Sequence, residues 1–416
     1  MEIYKFGGAS VKDAEAVKNL VEVLKTTGTS RKMLVISAMA KTTNALEYII
    51  DLYFKKDKDL ALAISDLKTF HLDICQELFS STSHPVYQKI DSFFENLAVF
   101  LEHNKSPNYD YVYDQIVCLG ELVSSTIVSE YLNEIGCTNT WHDCRNLIKT
   151  NEDFRDAEVN WEETQQNITS YINTDLLNIS QGFIASDHDN FTTTLGREGS
   201  DYSAAIFAYC LNAESLTIWK DVPGVLNGDP RVFENTTLLD QISYEEAIEL
   251  AFYGASVIHP KTLQPLQRKE IPLFVKAFSN PEGKGTCVMK GEKLIPKTPC
   301  FIVKNDLILL SLASLDFSFF VEKNIAEIFA LFDKYQIKVD LIQNSAISFS
   351  VCVNNKFNTI DELISILKAK FKVTYNKNVS LYTIRHFDDA ALKSIEKDKD
   401  ILLKQYTRET VQLVVK

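Results

Sequence analysis

Glu2-Ile3-Tyr4-Lys5-Phe6-Gly7-Gly8-Ala9-Ser10, at the start of the chain, is a mostly apolar strand that runs directly into a glycine turn. The apolar positions of residues 11–25 then follow helical spacing, and residues 33–37 form a second, continuous apolar strand. Continuous apolar strands are typical of a parallel sheet that is covered on both faces. The opening therefore predicts a β-α-β unit and, with it, an α/β domain.

The rest of the chain extends this pattern. Residues from about 44 to 132 are helical in pattern nearly throughout, which we interpret as a helical cap beside a substrate pocket. Strands and helices alternate after that, until Pro and Gly residues between 281 and 299 mark the best domain boundary. We predict a three-layer α/β/α domain with a mainly parallel sheet over 1–294. An α+β module with the β-α-β-β-α-β order of a ferredoxin-like fold should occupy 299–416.

The composition argues against several classes of protein. The 416 residues carry a formal net charge of −13, and 45% of them are hydrophobic, which describes a soluble globular protein without a broad nucleic-acid surface. The apolar runs are far shorter than the ~20 residues that a membrane span needs. The eight cysteines lack C-x-x-C spacing, so we expect reduced core residues, no zinc site and a cytoplasmic location.

The glycine turn at Gly7 and Gly8 lies where a strand passes into a helix. Free backbone N–H groups, the positive end of the helix and the ammonium group of Lys5 can converge there on a phosphate. The alternative is a plain turn with an exposed lysine, which is the more frequent case for a lone Gly-Gly pair. The turn is not a Walker loop, because the G-x-x-x-x-G-K-[ST] pattern does not occur in the chain.

Two later turns also carry charged residues. Gly196-Arg197-Glu198-Gly199-Ser200-Asp201 precedes a predicted helix, and capping of that helix would explain all of these residues except Arg197. An arginine in such a loop can hold a carboxylate through two hydrogen bonds. Residues 219–225 and Asp229-Pro230-Arg231 form a third loop, for which a pair of tight turns is the alternative interpretation.

Together these motifs resemble those of the aspartate kinases, within the amino-acid-kinase family. Residues 5–10 are similar to the family's Lys-Phe-Gly-Gly-Thr-Ser, and residues 196–201 to its Gly-Arg-Gly-Gly-Ser-Asp. Further matches follow in the family's order, at residues 37–44, 120–121, 221–231 and 253–260. The resemblance covers essentially the whole chain and implies an amino-acid-kinase fold.

The implied reaction is ATP-dependent phosphorylation of the side-chain carboxylate of L-aspartate to 4-phospho-L-aspartate, the first step toward lysine, threonine and methionine. Lys5 would bridge the transferred phosphoryl oxygens, with the backbone N–H groups of Gly7 and Gly8 beside it. A carboxylate nucleophile is already ionised at neutral pH and needs no general base. Asp201 would therefore orient Lys5 or the metal ion rather than remove a proton.

The resemblance also implies the two substrate sites. Arg197 would hold the α-carboxylate of L-aspartate and Glu121 its α-amino group, and the aspartate site would be completed by Ser37, Thr43 and Ser200. ATP would bring Mg²⁺ with it, without protein side chains as metal ligands. In addition to the phosphate turn, the residues facing the nucleotide would be Ser10, Lys220, Asp221, Leu226 and Arg231.

Five positions depart from the family's pattern. Ala9 stands where a threonine is usual, and Glu198 replaces a glycine, so that position either needs no positive φ or is strained. Lys220 replaces a common threonine, Leu226 a common tyrosine and Ser256 a lysine near the nucleotide. These changes bear on the nucleotide contacts more than on the aspartate contacts.

The C-terminal residues resemble the paired, interleaved ACT domains of aspartate kinases. Within them, residues 339–345 are similar to the effector-binding segment, so Asp340, Asn344 and Ser345 are candidate effector ligands. Ala346 replaces the usual glutamate, which removes a partner for an effector's amino group. Two roles are therefore considered for these domains, feedback inhibition by lysine or threonine and formation of a homodimer, and the homodimer is the safer expectation.

Two alternatives remain open at this point. A kinase of the same fold could act on glutamate, acetylglutamate or a nucleoside monophosphate, although such enzymes lack the long C-terminal module. A catalytically weak amino-acid sensor could also have kept the fold.

Overall fold

The computed structural model describes residues 1–255, 258–291, 293–316 and 318–416. It divides into two compact units. The first consists of Met1–Val225, Leu238–Ile248 and Val257–Leu294, and the second of Leu226–Thr237, Glu249–Ser256 and Ile295–Lys416. The second unit thus takes in two short segments from the middle of the chain.

The larger sheet has nine strands in the order β11-β8-β10-β9-β7-β1-β2-β4-β3. Neighbours from β9 to β3 in this order are parallel, and β10 pairs antiparallel with β9. A short hairpin of β5 and β6 lies outside this sheet. The strands are β1 (Glu2–Phe6), β2 (Lys32–Ile36), β3 (Thr140–His142), β4 (Leu177–Gln181), β5 (Ile184–Ser186), β6 (Thr192–Thr194), β7 (Ser215–Lys220), β8 (Gln241–Ser243), β9 (Leu273–Ala277), β10 (Thr286–Met289) and β11 (Leu294–Ile295).

Helices connect these strands, and α2 to α6 occupy the region predicted as a helical cap. Helix α6 is buried continuously over residues 119–129, so it runs through the core rather than along the surface. The helices are α1 (Ala14–Thr27), α2 (Thr42–Lys55), α3 (Leu60–Leu78), α4 (Pro85–His103), α5 (Tyr109–Val117), α6 (Leu119–Glu134), α7 (Trp161–Tyr171), α8 (Gly199–Cys210), α9 (Tyr244–Tyr253) and α10 (Pro260–Lys269).

The extended chain is interrupted by a break between β4 and β5. β4 ends at Gln181, and a Cβ atom on Gly182 would lie 2.6 Å from the Cβ of Ser200. Real Cβ atoms do not approach so closely, so only glycine lets the chain pass the start of α8 at this point. The break therefore brings the end of β4 beside the start of α8.

The second unit is built on an antiparallel sheet in the order β13-β14-β12-β15-β17-β16. The long strands β12 and β15 pair along most of their length, so each serves both halves of the sheet. The elements are β12 (Cys300–Ala313), α11 (Glu322–Lys334), β13 (Lys338–Asn344), β14 (Ser348–Asn354), α12 (Ile360–Leu367), β15 (Lys372–Arg385), α13 (Asp389–Glu396), β16 (Ile401–Tyr406) and β17 (Thr410–Val415).

The first six of these elements follow the predicted β-α-β-β-α-β order. Strand β13 is identified by this order rather than by its own pattern, because its mostly exposed positions show little apolar and polar alternation. No helix within the described residues is long and apolar enough to cross a membrane.

Candidate active site

A cavity of about 360 Å³ opens in the first unit at the carboxyl ends of β1 and β2. Ligands of open α/β sheets bind at this edge, because loops from neighbouring parallel strands meet there. Most of the residues predicted for the aspartate and phosphate sites line it. Those residues are Lys5, Gly8, Ser37, Thr43, Glu121, Ser200, Asp201 and Lys220.

The loops that follow β1 and β2 are in close backbone contact beside this cavity. Ser37 donates its backbone N–H to the carbonyl of Phe6 at 3.1 Å, and Ala40 donates to the carbonyl of Gly8 at 3.1 Å. A Cβ atom on Gly8 would lie only 2.8 Å from the carbonyl oxygen of Ala38. A side chain at Gly8 would therefore force the two loops apart.

Lys5 and Asp201 form a buried ion pair in the wall of the cavity. The Nζ atom of Lys5 lies 2.6 Å from Oδ1 of Asp201, and Nζ of Lys220 lies 3.7 Å from Oδ2. Burial alone would raise the pKa of Asp201, but the charges of Lys5 and Lys220 outweigh it and lower the pKa. One carboxylate thus fixes two ammonium groups on the same side of the cavity.

Glu121 lies in the buried part of α6 and is 3% exposed. Its Oε1 atom accepts a hydrogen bond from the backbone N–H of Ala38 at 3.4 Å, and Oε2 has no hydrogen-bond partner among the described residues. Burial raises the pKa of Glu121 to about 8. The free oxygen of this carboxyl group can accept a hydrogen bond from a ligand.

The turn before α8 is conformationally strained. Glu198 adopts a left-handed backbone with φ of +54°, so the position does need the positive φ that glycine adopts freely. Its neighbours Gly196 and Ser200 line the cavity together with Glu198, whereas Arg197 is exposed between two lining residues. The Oε2 atom of Glu198 is buried and has no partner within the described part of the chain.

Gly8 of the phosphate turn lines the cavity, whereas Gly7 and Ser10 do not. A Cβ atom on Gly7 would lie 3.5 Å from Nζ of Lys5, so this glycine is beside the lysine ammonium. The hydroxyl of Ser10 is buried and donates to the carbonyl of Trp219 at 3.2 Å, so it ties the turn to β7. A contact of Ser10 with the nucleotide stays a prediction.

Five of the predicted nucleotide residues lie outside the cavity lining, namely Gly7 and Ser10, described above, and Asp221, Leu226 and Arg231. Asp221 is exposed just after β7. Leu226 and Arg231 belong to the second unit, where the guanidinium group of Arg231 pairs with the Asp229 carboxylate at 2.7 Å. The departure at Ser256 and the matched position Val257 lie outside the described residues.

Sequence reasoning missed part of the cavity wall. Ala38, Ala40 and Phe183 line it, and Ala38 contributes a backbone donor rather than a side chain. Gly182 was the available signal, because an isolated glycine after a strand marks a close backbone approach. The described residues contain no group of three His, Cys, Asp or Glu residues placed to hold a metal ion.

Comparison with known proteins identifies the family to which this chain belongs. The model of the amino acid kinase family matches residues 1–277. Lysine-sensitive aspartokinase 3 of Escherichia coli (strain K12) is 32% identical over 361 residues, covering 86% of this chain and 79% of that protein. The bifunctional aspartokinase/homoserine dehydrogenase 2 of Arabidopsis thaliana is 27% identical, and the chain spans only 42% of its length.

Solved aspartokinase structures have the same fold as this chain. E. coli aspartokinase III in complex with lysine and aspartate (T-state) superposes with a TM-score of 0.82 at 28% identity, covering 100% of this chain and 96% of that one. The same enzyme in complex with aspartate and ADP (R-state) gives a TM-score of 0.79 at 27% identity, with the same coverage. The predicted amino-acid-kinase fold with a C-terminal α+β module is confirmed.

Proposed function

This chain belongs to the aspartokinases of the amino acid kinase family, and we infer that it phosphorylates the side-chain carboxylate of L-aspartate with ATP. The products are 4-phospho-L-aspartate and ADP. Relatives named as aspartokinases, one of them solved with aspartate and ADP, favour this reaction over the non-catalytic sensor. The observation within the molecule that carries the proposal is the buried Lys5–Asp201 ion pair at the cavity, with the ammonium group of Lys220 beside it.

The chemistry explains why such a cluster is useful. The attacking carboxylate and the γ-phosphoryl group are both anions, so catalysis consists mainly of bringing them together and offsetting their repulsion. Lys5 would contact the phosphoryl oxygens, with the amides of Gly7 and Gly8 beside it. Asp201 acts as a positioning residue for Lys5, because its lowered pKa keeps it ionised and unsuited to accept a proton.

The amino-acid part of the substrate would be held by other residues at the cavity. We assign its α-amino group to Glu121, whose Oε2 atom is an available buried acceptor. Arg197 is assigned to the α-carboxylate, since an exposed guanidinium group between two lining residues can reach a ligand at the rim. Hydroxyl groups would complete the site, from Ser37, Thr43 and Ser200.

The nucleotide would be bound as its magnesium salt, with Mg²⁺ held through the phosphates. Lys220 supports this proposal directly, because its ammonium group lines the cavity beside Asp201. Asp221, Leu226 and Arg231 are assigned to the nucleotide by family resemblance. A cytoplasmic location stays a prediction from the cysteine pattern.

The decisive experiment measures ADP formation from ATP and Mg²⁺ with L-aspartate, glutamate or acetylglutamate as the acceptor. Wild-type protein should turn over aspartate in preference to the other two acids. Lys5→Ala should abolish turnover, and Asp201→Asn should lower kcat by at least about 100-fold, because a misplaced cation loses its contact in the transition state. Turnover of aspartate by Lys5→Ala at the wild-type rate would refute the assignment.

We also propose a homodimer formed through the first half of the antiparallel sheet. Strand β13 is an edge strand, and an unpaired edge favours association with another chain. Ile342 on this strand and Phe329 on α11 are both substantially exposed apolar residues. A second copy of the chain would cover them.

The candidate effector residues differ in their surroundings. Asp340 on β13 has a buried side chain and forms an ion pair with Lys304 of β12, Nζ to Oδ1 at 2.7 Å. Asn344 and Ser345 are exposed at the end of the same strand. Titration of lysine and threonine against activity tests the proposal that this strand binds an effector, and unchanged rates at millimolar levels would reject it.

A further inference from the structure

The segment Leu226–Thr237 has an unexpected place in the fold. It follows β7 in the chain, yet it belongs to the compact unit formed by the C-terminal module. It contains neither a helix nor an extended strand, so its conformation depends on contacts with its surroundings. Leu226 and Arg231, assigned above to the nucleotide, both lie in this segment.

Asn227 closes the segment and ties it to the module. Its backbone N–H donates to the carbonyl of Thr237 at 2.9 Å, and its side-chain oxygen accepts from the Thr237 N–H at 2.6 Å. Its side-chain amide donates to the carbonyl of Pro299 at 2.9 Å, and its own carbonyl accepts from the N–H of Phe301 at 2.6 Å. One buried side chain thus joins both ends of the segment to the start of β12.

Phe233 anchors the middle of the segment. Its ring centroid lies 5.4 Å from that of Phe301 and 6.5 Å from that of Tyr382. The ring also packs against the buried apolar cluster beneath α13, which includes Ile384 and Leu413. Paired aromatic rings contribute about 0.5–1.5 kcal/mol beyond the apolar area that they bury.

A tight turn connects this anchor to Arg231. The backbone N–H of Phe233 donates to the carbonyl of Asp229 at 2.9 Å, and the Asp229 carboxylate holds the Arg231 guanidinium group. The position of the Phe233 ring therefore sets the position of the turn, and the turn orients Arg231.

We propose that Phe233 and Asn227 are positioning residues for ATP, which hold the nucleotide segment in its binding conformation against the C-terminal module. The proposal rests on the nucleotide role of Leu226 and Arg231 given above. It makes the conformation of this segment depend on the C-terminal module, with which both anchors are in contact. Without these anchors, ATP has to order the segment on binding, and that ordering lowers its affinity.

The test compares Phe233→Ala with the wild type. KM for ATP should rise roughly tenfold, equivalent to about 1.4 kcal/mol, whereas KM for aspartate should stay within about twofold. Phe233→Leu, which retains an apolar side chain, should restore part of the difference. Hydrogen exchange of the peptide spanning 226–237 should be faster in Phe233→Ala, and this readout does not depend on any substrate.

Phe387→Ala is the matched control. Phe387 packs against the same cluster, but its ring partner is Tyr406 of β16, 5.7 Å away. Its loss should lower Tm to a similar extent and leave both KM values unchanged. Should Phe233→Ala fold poorly, Asn227→Asp provides a second test, because it retains an acceptor for Thr237 and replaces the donor to Pro299 with a repelling carboxylate.

The outcomes separate the possibilities. An equal rise of both KM values, or the same rise in Phe387→Ala, would overturn the proposal and leave Phe233 a merely structural residue. Faster exchange of the segment with an unchanged KM for ATP would overturn it as well. Arg231→Ala with normal KM for ATP would remove its premise, whereas a wild type inactive on aspartate would instead refute the proposed reaction.

Discussion

At the scale of single residues, the burial of Glu121 predicts a pH dependence. Its pKa is raised to about 8, so the empty site holds this group protonated at neutral pH. An ammonium group binds the ionised form, and aspartate binding must therefore release a proton. Below pH 8, KM for aspartate should rise with falling pH, by up to about tenfold per unit.

Kinetics between pH 6 and pH 8.5 check this, with KM for ATP as the internal control. Glu121→Gln should raise KM for aspartate and remove its pH dependence, and a variant with the wild-type profile would contradict the assignment.

The burial of Glu121 also affects the stability of the protein. Its folded pKa lies above the unfolded value, so the free energy of unfolding should decrease as pH rises from about 4.5 to 8, and less so in Glu121→Gln.

The left-handed backbone of Glu198 leads to a second prediction at this scale. Glu198→Gly should stabilise the protein by about 1 kcal/mol, since glycine adopts this conformation without strain. The melting temperature should rise by about 2 °C. Gly196→Ala is the opposing control, because φ is +76° there and a Cβ atom would lie 2.3 Å from the Asp156 carboxylate, so its melting temperature should fall. A lower melting temperature for Glu198→Gly would show that the strain is offset by contacts of the side chain.

At the scale of the elements, the two loops that follow β1 and β2 tolerate no side chain between them. Gly8→Ala should lower kcat/KM by about 100-fold, because displacement of the loops by a fraction of an ångström moves Lys5 and Ser37 relative to each other. Gly7→Ala is the neighbouring control. Its added Cβ would meet Lys5 only at an ordinary contact distance, so its activity should stay within about threefold of the wild type. Equal losses in the two variants would show that the close approach at Gly8 is unimportant.

The elements also show how far the sequence alone could go. The β-α-β opening and the C-terminal β-α-β-β-α-β order were predictable, because apolar periodicity differs between strands and helices. Most of the side chains that line the cavity belong to the quoted motifs, and Phe183 is an exception. The direction of the Ser10 hydroxyl and the backbone donor of Ala38 could not be predicted, because both depend on contacts between elements far apart in sequence.

At the scale of the whole molecule, the proposed dimer can be tested by substitution on the edge strand. Ile342→Lys places a charge on an exposed apolar position of β13 and should shift the protein toward monomer in light scattering across a dilution series. Phe357→Ser removes an apolar side chain that is equally exposed but lies in the turn after β14 and should leave the assembly unchanged. A dimer that persists in Ile342→Lys would assign the interface elsewhere.

The division of the chain into units was the least predictable feature at this scale. Within residues 226–237 the sequence indicates only the turn at 229–231, with no pattern that assigns the segment to either unit. Their partners Phe301 and Tyr382 are separated from them by about 70 to 150 positions, and local periodicity carries no information over such distances.

In the buried pair of Lys304 and Asp340, the lysine ammonium group occupies the carboxylate that an effector's amino group would bind. A free amino acid that offers its own amine to this carboxylate must displace one attached to the protein, whose effective concentration is on the order of millimolar for a short flexible link. If Asp340 belongs to the proposed effector site, removal of the Lys304 ammonium group by substitution should therefore lower the concentration at which a free amino acid binds there.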